Sequence, residues 1–138
     1  MALALTNFRA VAMPQAQALH VGDDGRLQDA TAPGARVIDC GGQFLSPGWC
    51  DLHVHVWHGG TDISVRAAQA GRAHGVTAMA DAGSAGEANF HGLREYVIDL
   101  AAKTIKAFLN IGSIGLVACN RVSELIDMRS TDVDAPLR

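Results

Sequence analysis

The sequence predicts an α/β protein in which a small β-layer precedes strands that alternate with helices. Three observations support this fold class. Residues 1–47 contain short extended segments separated by turn residues, and residues 48–128 alternate between β-type and α-type patterns. Of the 138 residues, 49% are hydrophobic and 18% are charged, which is typical of a globular domain and excludes general disorder.

The β-layer, residues 1–47, has the pattern of β-hairpins. A turn at residues 22–25 ends in Asp-Gly, whose glycine accepts the positive φ of a tight turn, and Pro33-Gly34 marks a second break. The predicted extended segments are residues 3–11, 18–21, 26–27 and 36–39.

Residues 48–138 alternate strands with helices, which predicts a parallel sheet whose strands are joined by helical crossovers. Gly75 is predicted to end the first helix, and Asn89 to cap the second. The predicted elements are a strand at 49–57, a helix from Asp62 or Ser64 to residue 74, a strand at 76–80, a helix after Asn89, a strand at 105–111 and a weaker helix at 121–128. The apolar stripe of the second helix is predicted to comprise Phe90, Leu93, Val97, Leu100 and Ala101.

Charge and cysteine content exclude several classes of partner and site. Lys and Arg number 11 against 14 Asp and Glu, and the net charge of −3 favours neither nucleic-acid phosphates nor an anionic membrane. Cys40, Cys50 and Cys119 form no Cys-x-x-Cys pair, which argues against a disulfide framework and a cysteine-built zinc site. Because no secretory leader or long apolar window occurs, we expect a soluble cytoplasmic protein.

The segment 51–56 (DLHVHV) carries the clearest chemical signal. Strand side chains alternate, so Asp51, His53 and His55 are predicted to share one face, whereas Cys50 is predicted to be buried on the apolar face with Leu52. Imidazoles two residues apart begin about 6.6 Å apart at the backbone and can converge on one metal ion. Asp51 could orient a ligand as a supporting carboxylate. The alternative interpretation is a pair of hydrogen-bonded strand histidines without a metal.

Three motifs in order resemble the amidohydrolase superfamily. Residues 42–55 (GQFLSPGWCDLHVH) resemble the start of that family's first barrel strand, with its PG(F/W)xDxHxH signature. Residues 75–86 (GVTAMADAGSAG) and 107–116 (AFLNIGSIGL) are similar to dihydroorotase-like metallohydrolases of the amidohydrolase/deacetylase type. The resemblance extends from about residue 5 to residue 127.

The resemblance implies the N-terminal portion of a (β/α)8 barrel, with about three βα units in residues 48–138, preceded by a partial small β-sandwich in residues 1–47. It implies hydrolysis of a small-molecule substrate at a non-peptide C–N bond, amide or N-acyl, or at a related acetyl ester. The cofactor would be one or two divalent metal ions, usually zinc, that activate a water.

By the same resemblance His53 and His55 are the first two metal ligands. The family's remaining ligands and its general base would follow residue 138, so the catalytic residue is not assigned. Two ligands leave zinc short of its usual four. We therefore expect an N-terminal fragment that is inactive alone.

Other polar residues are weaker candidates. Asp81 is predicted at the end of the second strand, where it could support the site or contact substrate, or could simply bond the loop amides of Gly83 and Ser84. Ser84 and Asn110 are interpreted as loop or strand-end hydrogen-bonding residues. His58 is predicted to face solvent in a loop, and His20, His74 and His91 are interpreted as surface or packing residues.

An alternative from another functional class is a non-catalytic remnant or an interaction module. An incomplete barrel leaves its outer strands as open edges, which favour homo-oligomers or self-association. A flavodoxin-like binding domain is disfavoured, because no phosphate loop is convincing.

Overall fold

The computed structural model describes residues 1–117, 119 and 131. The chain divides into two compact units, Met1–Pro47 and Gly48–Arg138. Strands and helices are both present, which confirms the predicted mixed α/β class. Within the described residues, every helix is too short or too polar to cross a membrane. The helix predicted at 121–128 lies outside the described residues.

The first unit contains six short strands arranged in two sheets. In the four-stranded sheet the order is β4-β3-β1-β5, with β1 antiparallel to β3 and parallel to β5, and the separate pair β2-β6 is parallel. The predicted segment 3–11 is divided because Asn7 adopts a φ of 53°, which turns the backbone between β1 and β2. The strands are β1 (Leu3–Thr6), β2 (Arg9–Ala10), β3 (Ala18–Val21), β4 (Leu27–Gln28), β5 (Arg36–Asp39) and β6 (Phe44–Leu45).

The turn between β3 and β4 forms as its Asp-Gly pair predicts. Gly25 has a φ of 77°, and the N–H of Gly22 donates to the carbonyl of Arg26 at 2.8 Å. Asp24 accepts a hydrogen bond from the N–H of Arg26 at 3.1 Å. The aspartate therefore fixes the turn through its side chain, and the glycine supplies the left-handed backbone.

Asp39 stabilises the bend that follows β5. Its Oδ1 accepts hydrogen bonds from the N–H of Gly41 at 2.8 Å and from Nδ2 of Asn7 at 2.7 Å. Both donors favour the ionised carboxylate, so the Gly41 N–H first and then the Asn7 amide lower the pKa of Asp39, while slight desolvation opposes them.

The second unit is built on a three-stranded parallel sheet, ordered β7-β8-β9. Its strands are β7 (Trp49–Val54), β8 (Val76–Gly86) and β9 (Thr104–Asn110). Met79 pairs with Ile105, and Val54 lies opposite Asp81. β8 is longer than predicted, because it continues past an irregularity at Gly83, where φ is 85°.

The connection from β7 to β8 is less helical than predicted. It contains α1 (Ala67–Ala70) and a 3₁₀ turn (Arg72–His74), and it ends as predicted at Gly75, where φ is 71°. The hydroxyls of Thr61 and Ser64 bond to each other, and the first helix begins at Ala67 and not at residue 62 or 64.

The connection from β8 to β9 contains α2 (Phe90–Leu93) followed by a π-helical turn (Arg94–Ile98). The wider turn changes which side chains face inward. Leu93 is fully buried and Ile98 packs against the core, but Leu100 is 75% exposed, so its predicted place in the apolar stripe is wrong.

Val56, Met79 and Ile105 form the core beneath the sheet, and side chains of both helical connections pack against them. Contrary to the prediction for the apolar face, Cys50 is exposed and Leu52 is 69% exposed. The pairing of β7 with β8 shifts register between Trp49 and Cys50 and again between Asp51 and Val54. Val54 and Val56, on the same predicted face, do pack in the core, so the prediction fails only at Cys50 and Leu52 near the start of β7.

Candidate metal centre

His53 and His55 come together at the carboxyl end of β7. His53 is the penultimate residue of the strand and is exposed, whereas His55 follows the strand and is half-buried. Their ring centroids lie 5.6 Å apart, and the ring planes meet at 90°. The end of β7 and the residue just after it therefore place the two imidazoles beside each other, as the i, i+2 spacing predicts.

This separation fits a shared divalent ion. Two imidazoles bound at about 2.1 Å to one tetrahedral zinc place their ring centroids roughly 5 Å apart. The observed separation of the ring centroids, 5.6 Å, is close to this value. The two histidines thus have both the donor type and the spacing of a pair of zinc ligands.

Asp51 contacts the backbone next to the imidazoles. Its Oδ1 accepts a hydrogen bond from the N–H of His53 at 3.0 Å, and its side chain is half-buried. This bond fixes the backbone from which the His53 ring projects. Asp51 thereby supports the pair through the main chain of β7.

Asp81 is buried inside β8, not placed at the strand's end as predicted. β8 extends five residues beyond Asp81 to Gly86 because the irregularity at Gly83 does not terminate it. Asp81 is 0% exposed, and its carboxylate accepts bonds from the N–H of Val56 at 2.9 Å and the N–H of Ser84 at 2.7 Å. It therefore joins the end of β7 to the far part of β8.

Ser84 is the residue near the histidines that sequence reasoning undervalued. It is 0% exposed, its hydroxyl donates to Oδ2 of Asp81 at 2.8 Å, and Nδ1 of His55 lies 3.2 Å from the same hydroxyl. The signal available in the sequence was that parallel strands end at one sheet edge, so residues following β7 and β8 are neighbours there. The continuation of β8 beyond Gly83 was not predictable from that pattern.

The remaining histidines lie elsewhere. His58, His74 and His91 are exposed, and His20 of the first unit bonds the hydroxyl of Thr31 at 2.7 Å. Across residues 1–117, 119 and 131, no three His, Cys, Asp or Glu side chains are arranged to hold a metal ion. The described part of the chain thus supplies two close imidazoles and a buried carboxylate–hydroxyl pair behind one of them.

No family model matches the chain. Two curated bacterial relatives match it strongly. A deacetylase of Agrobacterium fabrum is 58% identical over an alignment 120 residues long, which covers 83% of this chain and 29% of the relative. A deacetylase of Brucella anthropi is 57% identical over an alignment 119 residues long, which covers 83% of this chain and 30% of the relative. The chain thus spans less than a third of the length of these relatives.

A solved structure described as a dihydroorotase matches 99% of this chain and 38% of its own, with a TM-score of 0.86 and 49% identity. The predicted resemblance to the amidohydrolase superfamily is confirmed. An adenine deaminase structure matches 96% of this chain and 36% of its own with a TM-score of 0.72. Its identity of 23% supports the amidohydrolase-type fold alone.

Proposed function

We propose that this chain forms the N-terminal part of a metal-dependent hydrolase that cleaves a non-peptide C–N bond, amide or N-acyl, or a related acetyl ester. The observation that carries the proposal is the convergence of His53 and His55, whose ring centroids are 5.6 Å apart at the carboxyl end of a parallel strand. In barrel enzymes that end of the strands holds the active site. The deacetylase names of the curated relatives favour acyl or acetyl substrates.

The metal is zinc in this proposal, with one or two ions in the complete site. His53 and His55 would hold it, because neutral imidazole is the preferred nitrogen ligand of zinc. A bound divalent ion supplies Lewis-acid chemistry, since it lowers the pKa of water toward about 7 and polarises a carbonyl group.

The residues of this chain orient the ligands, and the rest of the site is assigned to later barrel strands. Two imidazoles leave zinc two ligands short of its usual four, and the described residues bring no third ligand beside them. We therefore propose that residues 1–47 and 48–138 belong to a β-sandwich and a barrel completed by further sequence. The 138-residue chain alone is expected to lack turnover.

Surface chemistry and cysteine state support the proposed cellular context. The sequence contains three cysteines and no Cys-x-x-Cys pair, a cysteine content that suits a reducing compartment. The net charge of −3 offers little attraction for nucleic acids or anionic membranes. We propose that the complete protein is a cytoplasmic enzyme that acts on a small-molecule substrate.

A hydrolase assay tests the proposal on the protein at its natural length. The substrates are an N-acetyl amino acid, dihydroorotate and an acetyl ester, each assayed before chelation, after chelation and after zinc is restored. We expect at least one to be hydrolysed, with loss on chelation, recovery with zinc and loss in His53→Ala. The matched control His74→Ala, an exposed histidine on the α1–β8 connection, should retain activity. Full activity of His53→Ala, or hydrolysis that survives complete metal removal, would exclude the proposed site.

A second candidate function is an interaction module, and a specific feature of the sheet favours it. Within the described residues β7 and β9 each pair with β8 alone, and exposed apolar side chains such as Leu52 and Phe108 lie on these two strands. Edge strands of this kind pair readily with other chains. Light scattering over a range of concentrations tests this candidate, because a compact monomer at all concentrations contradicts self-association.

A further inference from the structure

We propose that Ser84 is a positioning residue that holds the imidazole of His55 with its Nδ1 protonated and its Nε2 free to bind metal. This inference rests on the proposed function, since it assigns a role to Ser84 within the same site. Asp81 is the anchor of the arrangement, and the three residues form a chain from buried carboxylate to hydroxyl to imidazole.

The distances define this chain of hydrogen bonds. The hydroxyl of Ser84 lies 2.8 Å from Oδ2 of Asp81 and 3.2 Å from Nδ1 of His55. Asp81 and Ser84 are both 0% exposed, whereas His55 is half-buried. The Nδ1 atom of the imidazole thus faces a buried hydroxyl.

The direction of each hydrogen bond follows from counting hydrogens. Asp81 accepts from two groups that can only donate, the N–H of Val56 and the N–H of Ser84. The Ser84 hydroxyl gives its single hydrogen to the same carboxylate, so toward His55 its oxygen can only accept. Nδ1 of His55 must then carry a hydrogen, and in a neutral imidazole this leaves the lone pair on Nε2.

This hydrogen bonding of His55 is typical of histidines that bind a metal ion. A ligating imidazole usually donates its second ring N–H to a carboxylate, a carbonyl or a water, which fixes both the tautomer and the ring orientation. Here a buried carboxylate reaches the imidazole of His55 through the hydroxyl of Ser84.

The backbone around Ser84 is held tightly enough to position a side chain. The carbonyl of Ser84 accepts from the N–H of Leu116 at 3.0 Å, and the carbonyl of Gly83 accepts from Nδ2 of Asn110 at 3.0 Å. Gly115 approaches so closely that a Cβ there would lie 2.5 Å from the Ser84 carbonyl oxygen. These contacts restrict Ser84 independently of its hydroxyl.

The first test is a direct measurement on the unmodified protein at its natural length. A long-range ¹H–¹⁵N correlation spectrum of the metal-free protein above about pH 8.5, where imidazoles are neutral, reports which nitrogen of His55 carries the hydrogen. We expect Nδ1–H for His55. A dominant Nε2–H tautomer overturns the inference without any variant being made.

The second test measures zinc affinity with zinc alone as the probe. Ser84→Ala should weaken zinc binding about 10- to 100-fold and shift His55 toward the Nε2–H tautomer. The control is Thr77→Ala, which removes an exposed hydroxyl at the opposite end of β8.

The outcomes separate failure of this inference from failure of the proposed function. If Ser84→Ala leaves zinc affinity and the His55 tautomer unchanged while His55→Ala abolishes zinc binding, Ser84 has no positioning role and the site stands. If His55→Ala binds zinc as tightly as the unmodified protein, the proposed metal site itself is wrong, and the inference falls with it.

Discussion

Replacing Asp81 by Ala should destabilise the second unit, because the carboxylate accepts hydrogen bonds from buried donors just after β7 and within β8. The change leaves the N–H groups of Val56 and Ser84 without their acceptor. A buried donor without a partner costs about 1–3 kcal/mol, so the two together should lower the free energy of unfolding by about 4 kcal/mol. With a urea slope of about 2 kcal/mol per M, the midpoint should fall by roughly 2 M.

The matched control for this change is Asp51→Ala. Asp51 accepts one hydrogen bond, from the N–H of His53, at a half-buried position, so its loss should cost about 1 kcal/mol or less. Urea unfolding followed by the fluorescence of Trp49 and Trp57, both in the second unit, gives the two midpoints. Equal destabilisation by Asp81→Ala and Asp51→Ala would refute the role assigned to the buried carboxylate.

Three further predictions concern the fold. Met79→Ala should lower the free energy of unfolding by about 2–5 kcal/mol, because Met79 is 2% exposed in the core. Leu52→Ala, at a 69% exposed position, should change the free energy of unfolding by less than about 1 kcal/mol. Urea unfolding of both variants measures the difference. Gly75→Ala should cost about 1–2 kcal/mol, because its φ of 71° is unfavourable for alanine although no side chain lies closer than 3.6 Å to the new Cβ; thermal unfolding against Ala73→Gly checks the sign. The pKa of Asp39 is lowered on folding, so the contribution of Asp39 to stability is present above the unfolded pKa and is lost as the pH falls through the folded pKa. An NMR titration of Asp39 should give a lower midpoint in the folded protein than in urea. An equal or higher midpoint in the folded protein would contradict the hydrogen bonds assigned to Asp39.

Much of the fold could be predicted because its elements are marked by local signals. β9 was predicted at residues 105–111 and is observed at Thr104–Asn110, since its apolar run is bounded by polar residues and a glycine. The helical connection before β8 ends at Gly75, whose left-handed φ is a local property of glycine.

Features that depend on neighbouring strands or helical phase were not predictable in the same way. The predicted burial of Leu52 was wrong, because Leu52 is 69% exposed on a strand that, within the described residues, pairs with β8 alone. Leu100 was placed in the apolar stripe by a regular period of 3.6, which the π-helical turn after Leu93 interrupts.

In the candidate site, too, features set by a single strand could be predicted and features set by the pairing of strands could not. The approach of His53 to His55 follows from the period of a single strand, and their role as ligands stays a prediction. The position of Ser84 between Asp81 and His55 depends on how far β8 continues after Gly83, which is decided by its pairing with β9 and by the loop that follows. The pattern of a single strand could therefore predict the two imidazoles, but not the contacts of Ser84 with Asp81 and His55.

Zinc content of the purified protein at its natural length tests the paired imidazoles most directly. We expect the unmodified protein and the His74→Ala/His91→Ala control to contain bound zinc. The His53→Ala/His55→Ala variant should lose the zinc while its circular dichroism spectrum shows that the fold is preserved. A folded His53→Ala/His55→Ala variant that retains the full zinc content would contradict the assignment of this metal centre.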